Sequence, residues 1–129
     1  MARIPIVRVR DVLIVTVREE LTDQDALALQ EDLGDTLAQT GAAGVLLDLS
    51  AVDTVDSFLG RVLNEIAQGS RLLGARTVVS GIQPAVAITL VELGLQLRGV
   101  RTALDPVKGL ALLHRGLGRS RMIGRNGRR

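Results

Sequence analysis

Apolar positions along this chain fall into two rhythms, and their alternation outlines its elements. IPIVRV at 4–9 and VLIVTV at 12–17 are short β-branched runs separated only by Arg10-Asp11, which predicts a hairpin with a tight connection. Leu21-Thr22-Asp23 supplies a helix start, after which Ala26, Leu27, Leu29, Gln30, Leu33 and Leu37 recur at three- and four-residue spacings up to Thr40-Gly41. GVLLDL at 44–49 is a continuous apolar run with one aspartate, the pattern of a strand covered on both faces. From Phe58, the residues Leu59, Val62, Leu63, Ile66 and Leu73 return to helical period, ending at Gly74. ARTVVS at 75–80 reads as a buried strand halted by Gly81. Pro84 opens a helix carried by Ala85, Val86, Ile88, Thr89, Leu90 and Leu93 to Gly94. GVRTAL at 99–104 then predicts an edge strand, and Asp105-Pro106 starts a fourth helix over 106–115.

The order β-β-α-β-α-β-α-β-α predicts an α/β layer sandwich: a mixed, mainly parallel sheet with an N-terminal hairpin and helices packed on it. At 129 residues the chain has the size of one domain, able to bury roughly two thirds of its unfolded surface. No apolar run approaches the ~20 residues that cross a bilayer, and the N-terminus MARIPIVRVRD lacks the h-region of a secretory signal. The absence of cysteine excludes disulfides and thiolate sites and fits the cytoplasm.

Charge changes the picture only when placed along the chain. The sequence pI near 10.3 points to a nucleic-acid binder, yet six of the 16 basic residues are Arg115, Arg119, Arg121, Arg125, Arg128 and Arg129. Positions 1–114 therefore carry a net negative charge, and the basicity belongs to a Gly/Arg-rich end read here as a flexible tail over 116–129. With one phenylalanine and no tyrosine or tryptophan there is no stacking platform for bases, so nucleic acid is not the expected partner.

Convergent reactive groups are scarce. His114 is the only histidine and sits beside Leu112 and Leu113, which favours a structural role over a metal or catalytic one. The glycines of GAAG at 41–44 have neither dinucleotide nor P-loop spacing. Asp53 and Asp56 are three apart and have the composition of an acid/base pair, but equally that of a polar turn into a helix. Ser57 lies outside a G-x-S-x-G elbow and has no histidine near it in sequence, so it is not expected to be a catalytic nucleophile. As N-cap or N1 of the helix that follows, its hydroxyl is suited to binding free backbone N–H groups. A phosphate on that hydroxyl would gain roughly 0.3–1 kcal/mol from the helix terminus and lose a similar amount to Asp53 and Asp56. Such a modification changes the surface charge without unfolding the domain.

The element order, the strand-loop-helix GVLLDLSAVDTVDSF at 44–58 and the later GARTVVSGIQPAVAITLVELG at 74–94 together resemble the STAS domain of anti-sigma-factor antagonists. Within that family, DSF followed by GIQPAVA and VELG looks most like the stressosome scaffold antagonists, the RsbS type, over about residues 3–115. The resemblance implies a single STAS domain over 1–115. It also implies a cytoplasmic, non-catalytic scaffold without cofactor or metal. Its phosphorylation site would be Ser57, with Thr89 as a second candidate by analogy with the co-antagonists. Asp53, Asp56 and Phe58 would form the partner-binding rim. The partners implied are a switch serine/threonine kinase that is sequestered and then released, sensor-domain STAS co-antagonist paralogues, a serine phosphatase, and further copies in a dimer or larger assembly. Phe58 stands where sporulation-type antagonists usually carry a small residue. Two other readings compete: a one-to-one anti-sigma-factor antagonist without large assembly, and a small enzyme or nucleotide-binding module using the 53–57 loop.

Overall fold

The protein is described by a computed structural model over residues 4–18, 21–95 and 97–115. The opening β-branched runs become β1 (Ile6–Val9) and β2 (Val12–Thr16), paired antiparallel with Ile6 opposite Val15 and Val9 opposite Val12. Arg10 turns the hairpin with a left-handed φ of 55°, the conformation that two-residue connections demand. Its carbonyl accepts from Arg8 Nε at 3.0 Å.

The helix α1 (Asp23–Thr40) starts with a reciprocal cap: Thr22 Oγ1 accepts from the Asp25 N–H at 3.0 Å and Asp25 Oδ2 from the Thr22 N–H at 3.2 Å. It ends at Gly41, whose φ of 65° turns the chain into β3 (Gly44–Asp48). Then follow α2 (Ser57–Leu72), β4 (Arg76–Ser80), α3 (Pro84–Glu92) and β5 (Arg101–Ala103), with a last helix α4 over 106–115. The strands lie in chain order, β1-β2-β3-β4-β5, and every pair after the hairpin is parallel.

This order has a consequence for the layers. Three successive crossovers advance in one direction, so the right-handed rule places α1, α2 and α3 on the same face of the sheet. There Leu13, Val15, Val45, Leu47 and Val79 pack with Leu29, Leu33, Val62, Ile66 and Val86 in the main core. The opposite face, Val12, Leu46 and Val78, is closed by α4 through Leu113. A Cβ on Gly109 would come within 2.6 Å of Leu46 Cδ1, so the glycine lets α4 approach the strands closely. β3 is buried along its whole length, as its continuous apolar run predicts, and each fully buried leucine contributes about 1.5–3 kcal/mol.

The predicted fold class stands, with several small changes of boundary. β5 covers Arg101–Ala103 instead of 99–104, because Gly99 takes a φ of 74° and turns the chain. β1 is shortened at its start, and α2 begins at Ser57 with Asp56 as its cap. The Gly/Arg-rich stretch 116–129 lies outside the described residues.

Candidate functional site

In an open parallel sheet the loops at the carboxyl ends of the strands are the usual place for function. Here that edge is organised by one buried carboxylate. Asp48 closes β3 with 7% of its surface exposed. Its Oδ1 accepts from the Ser80 hydroxyl at 3.1 Å and from the Ser50 N–H at 3.3 Å, and its Oδ2 accepts from the Ser50 hydroxyl at 3.0 Å. Parallel register places Asp48 opposite Ser80, so the pairing is set by the sheet itself. Gly81 follows with a φ of 71°, and a Cβ there would lie 2.8 Å from Ser50 Cβ and 3.0 Å from Asp48 Oδ1. Gln83 Nε2 donates to the Ser50 carbonyl at 2.9 Å, tying the start of α3 to the loop after β3.

On this base stands the loop 49–56. Val52 and Val55 are buried and anchor it, and the Val52 N–H donates to the Leu49 carbonyl at 2.9 Å. Asp53, Thr54 and Asp56 are left exposed. Asp56 has the extended backbone of an N-cap and its Oδ1 accepts from the Leu59 N–H at 2.8 Å. Ser57 is therefore the first helical residue. Its side chain is exposed, and among the described residues no hydrogen bond engages its hydroxyl. The capping role open to Ser57 in the sequence is taken by the residue before it.

Phe58 is half-buried against the main core and, with Leu21, Ala26, Thr54 and Leu59, lines a groove of about 220 Å³ between the start of α1 and the loop. Thr89 sits apart from this constellation, half-buried on α3, with its hydroxyl donating to the Ala85 carbonyl at 2.9 Å. Asp53, Asp56, Ser57 and Phe58 thus share one loop and helix start, and Thr89 belongs to the next helix.

The chemistry open to this surface is that of an acceptor. His114 lies on α4 next to Leu113, which lines a cavity with Arg76 and Arg101 at the opposite, amino end of the strands. It cannot serve Ser57 as a base. Among the described residues no group of three or more His, Asp or Glu is placed to hold a metal ion. A free hydroxyl on the first turn of a helix, flanked by acids and without an internal base, is suited to modification by another protein.

Comparison with known proteins decides the family. The STAS-domain profile matches residues 3–104. The chain belongs to the STAS-domain family. Among solved structures, this STAS chain is similar to a Moorella thermoacetica RsbS variant in which a serine is replaced by glutamate, with 44% identity and a TM-score of 0.82, covering 92% of this chain and 99% of that one. It is also similar to a chain in a structure of the stressosome, described as a signal integration and transduction hub, with 45% identity, a TM-score of 0.79 and coverage of 89% and 99%. Among curated proteins it is 30% identical over 108 residues to the RsbT co-antagonist protein RsbRD of Bacillus subtilis (strain 168). That match takes in 83% of this chain but 39% of RsbRD, so the chain spans about two fifths of the length of that relative.

The Asp48, Ser50, Ser80, Gly81 and Gln83 support was not singled out from the sequence. Its signals are the lone acid inside GVLLDL and the serine closing TVVS, which fall in register only once the two strands are paired.

Proposed function

We propose that this STAS domain is a non-catalytic antagonist in a partner-switching stress-signalling system, and that phosphorylation of Ser57 releases a sequestered switch serine/threonine kinase. The observation that carries this reading is an exposed, unbonded Ser57 at the first position of α2 in a chain 44% identical to RsbS along nearly its whole length. Because Asp56 supplies the cap, a phosphate on Ser57 would not displace the oxygen that holds the helix start. The added charge of about −1.5 to −2 would instead fall beside Asp53 and Asp56, on a surface whose apolar part is Phe58. A partner seated on that surface would be expelled by repulsion and desolvation, and a serine phosphatase would restore the site. No helix among the described residues is long and apolar enough to cross a membrane. A cytoplasmic location and a domain running over 1–115 are part of the proposal.

A scaffold role, with sensor-domain STAS co-antagonists as neighbours, is supported by the likeness to a stressosome chain and to RsbRD. The surface fits such an assembly. On α3 only Val86 and Leu90 are buried, while Ile88 and Val91 are exposed. Incubation with the cognate kinase and ATP, followed by intact-mass measurement and fragment mapping, is expected to find one phosphate, on Ser57. Ser57→Asp is expected to lower kinase affinity at least tenfold and Ser57→Ala to leave it unchanged. A phosphate found only elsewhere, or equal affinities for the kinase, would refute the switch.

A further inference from the structure

β4 outruns β5 at its start. The parallel pairing begins with Val78 opposite Arg101, so Arg76 and Thr77 have no strand on that side. The gap is a cavity of about 530 Å³ framed by α2, the chain at 98–101 and the end of α4. Its apolar wall includes Ala67, Val78, Val100 and Leu112, and its polar lining includes Arg71, Arg76, Arg98, Arg101 and Arg115. No aspartate or glutamate is among the described residues that line it.

Two observations mark this cavity as more than a dent. Thr77 lines it, is 5% exposed, and its Oγ1 is buried without a hydrogen-bond partner. Buried hydroxyls are nearly always satisfied, so this one is an unmet donor just beneath the cavity wall. The backbone at Arg98 and Gly99, beside these arginines, is also held in place. Gln68 Nε2 donates to the Arg98 carbonyl at 3.1 Å, and Gly99 brings its backbone under the Arg71 guanidinium, whose Nη1 lies 3.3 Å from where a Cβ would be. Arg76 is engaged in an interaction of its own. Among the described residues no carboxylate forms an ion pair with Arg71, Arg98 or Arg101.

We propose that this cavity binds a small phosphomonoester whose organic part is apolar. The volume lies within the range of small-molecule sites, roughly 300–1,000 Å³. Several guanidinium groups around one space call for an anion with more than one charge and several acceptor oxygens, which a phosphate supplies and a single carboxylate does not. The alanine, valine and leucine wall takes the organic part. The site lies at the amino ends of β4 and β5, opposite the Ser57 loop, so it stands or falls separately from the kinase switch.

The test is calorimetric titration of the full chain with 2-naphthyl phosphate, with 2-naphthol and inorganic pyrophosphate as comparison ligands. Saturable one-to-one binding is expected for 2-naphthyl phosphate and at least tenfold weaker binding for either comparison ligand. The double substitution Arg98→Ala with Arg101→Ala is expected to raise the Kd by more than about tenfold, charge-assisted hydrogen bonds being the strong ones. Thr77→Val, which keeps the shape and alters only a hydroxyl beneath the cavity wall, is expected to leave the Kd within about twofold. No saturable binding would overturn the proposal, as would pyrophosphate binding as tightly as 2-naphthyl phosphate. So would a Kd left unchanged in the folded double variant, because binding would then lie elsewhere.

Discussion

β4 carries a buried hydroxyl near each of its ends. Ser80, fully buried, donates to Asp48 Oδ1 at 3.1 Å, whereas the Thr77 hydroxyl, three residues earlier and almost as deeply buried, has no acceptor. The difference follows from neighbours in register. At the carboxyl end β3 offers Asp48 opposite Ser80 and β5 offers Ala103, whose carbonyl accepts from the Gly81 N–H at 3.0 Å. At the amino end β3 offers Val45 opposite Thr77, and β5 has not yet begun. One end of the strand is closed by its own hydrogen bonds and serves as a rigid base for the 49–56 loop. The other is left open, with arginines around it.

Gly81→Ala should strike the closed end hardest. It forces a side chain into a left-handed backbone and sets a Cβ against Ser50 and Asp48, for a loss of about 3 kcal/mol in urea unfolding. A loss under about 1 kcal/mol would mean that this edge is not rigid. Asp48→Ala should cost ~2 kcal/mol by leaving the Ser80 hydroxyl without its acceptor. Thr77→Val, in the unliganded protein, should instead leave stability unchanged or raise it by up to ~1 kcal/mol. Equal losses in these two variants would erase the contrast between the ends. The smallest effects belong to the helix start. Asp56→Ala should cost ~1 kcal/mol and Ser57→Ala less than ~0.5 kcal/mol, because only Asp56 binds the free N–H groups there. A reversal of that order would return the cap to Ser57.

How far the sequence reached depended on the range of the interaction that each feature requires. The hairpin, the amphipathic α1 with Thr22 before it, and the doubly covered β3 follow from neighbours within a few residues, and the structure has all three. The start of α2 was ambiguous because aspartate and serine, side by side, are both good caps. Only the placed side chains separate Asp56, which binds the Leu59 N–H, from Ser57, which binds nothing. The Asp48 support was not legible, since Ser80 and Gln83 lie more than thirty residues along the chain and are brought in by strand register. Charge shows the same limit. The balance along the chain assigned the basic character to the stretch after 114, yet Arg71, Arg76, Arg98 and Arg101 lie within residues 1–114, which are net acidic as a whole, and meet only around the gap beside β4. The STAS resemblance, carried by two contiguous segments, needed no such assembly and agreed with the family match over residues 3–104.

That α4, the last described element, covers the second face also governs how the domain is born. Residues Val12, Leu46 and Val78 are all synthesised before Leu113, the side chain that closes over them. At translation rates of about 5–20 residues per second, Leu113 is added roughly 2–7 s after β4 is complete. Throughout that interval, one face of the nascent sheet presents an uncovered apolar stripe to chaperones and to neighbouring chains.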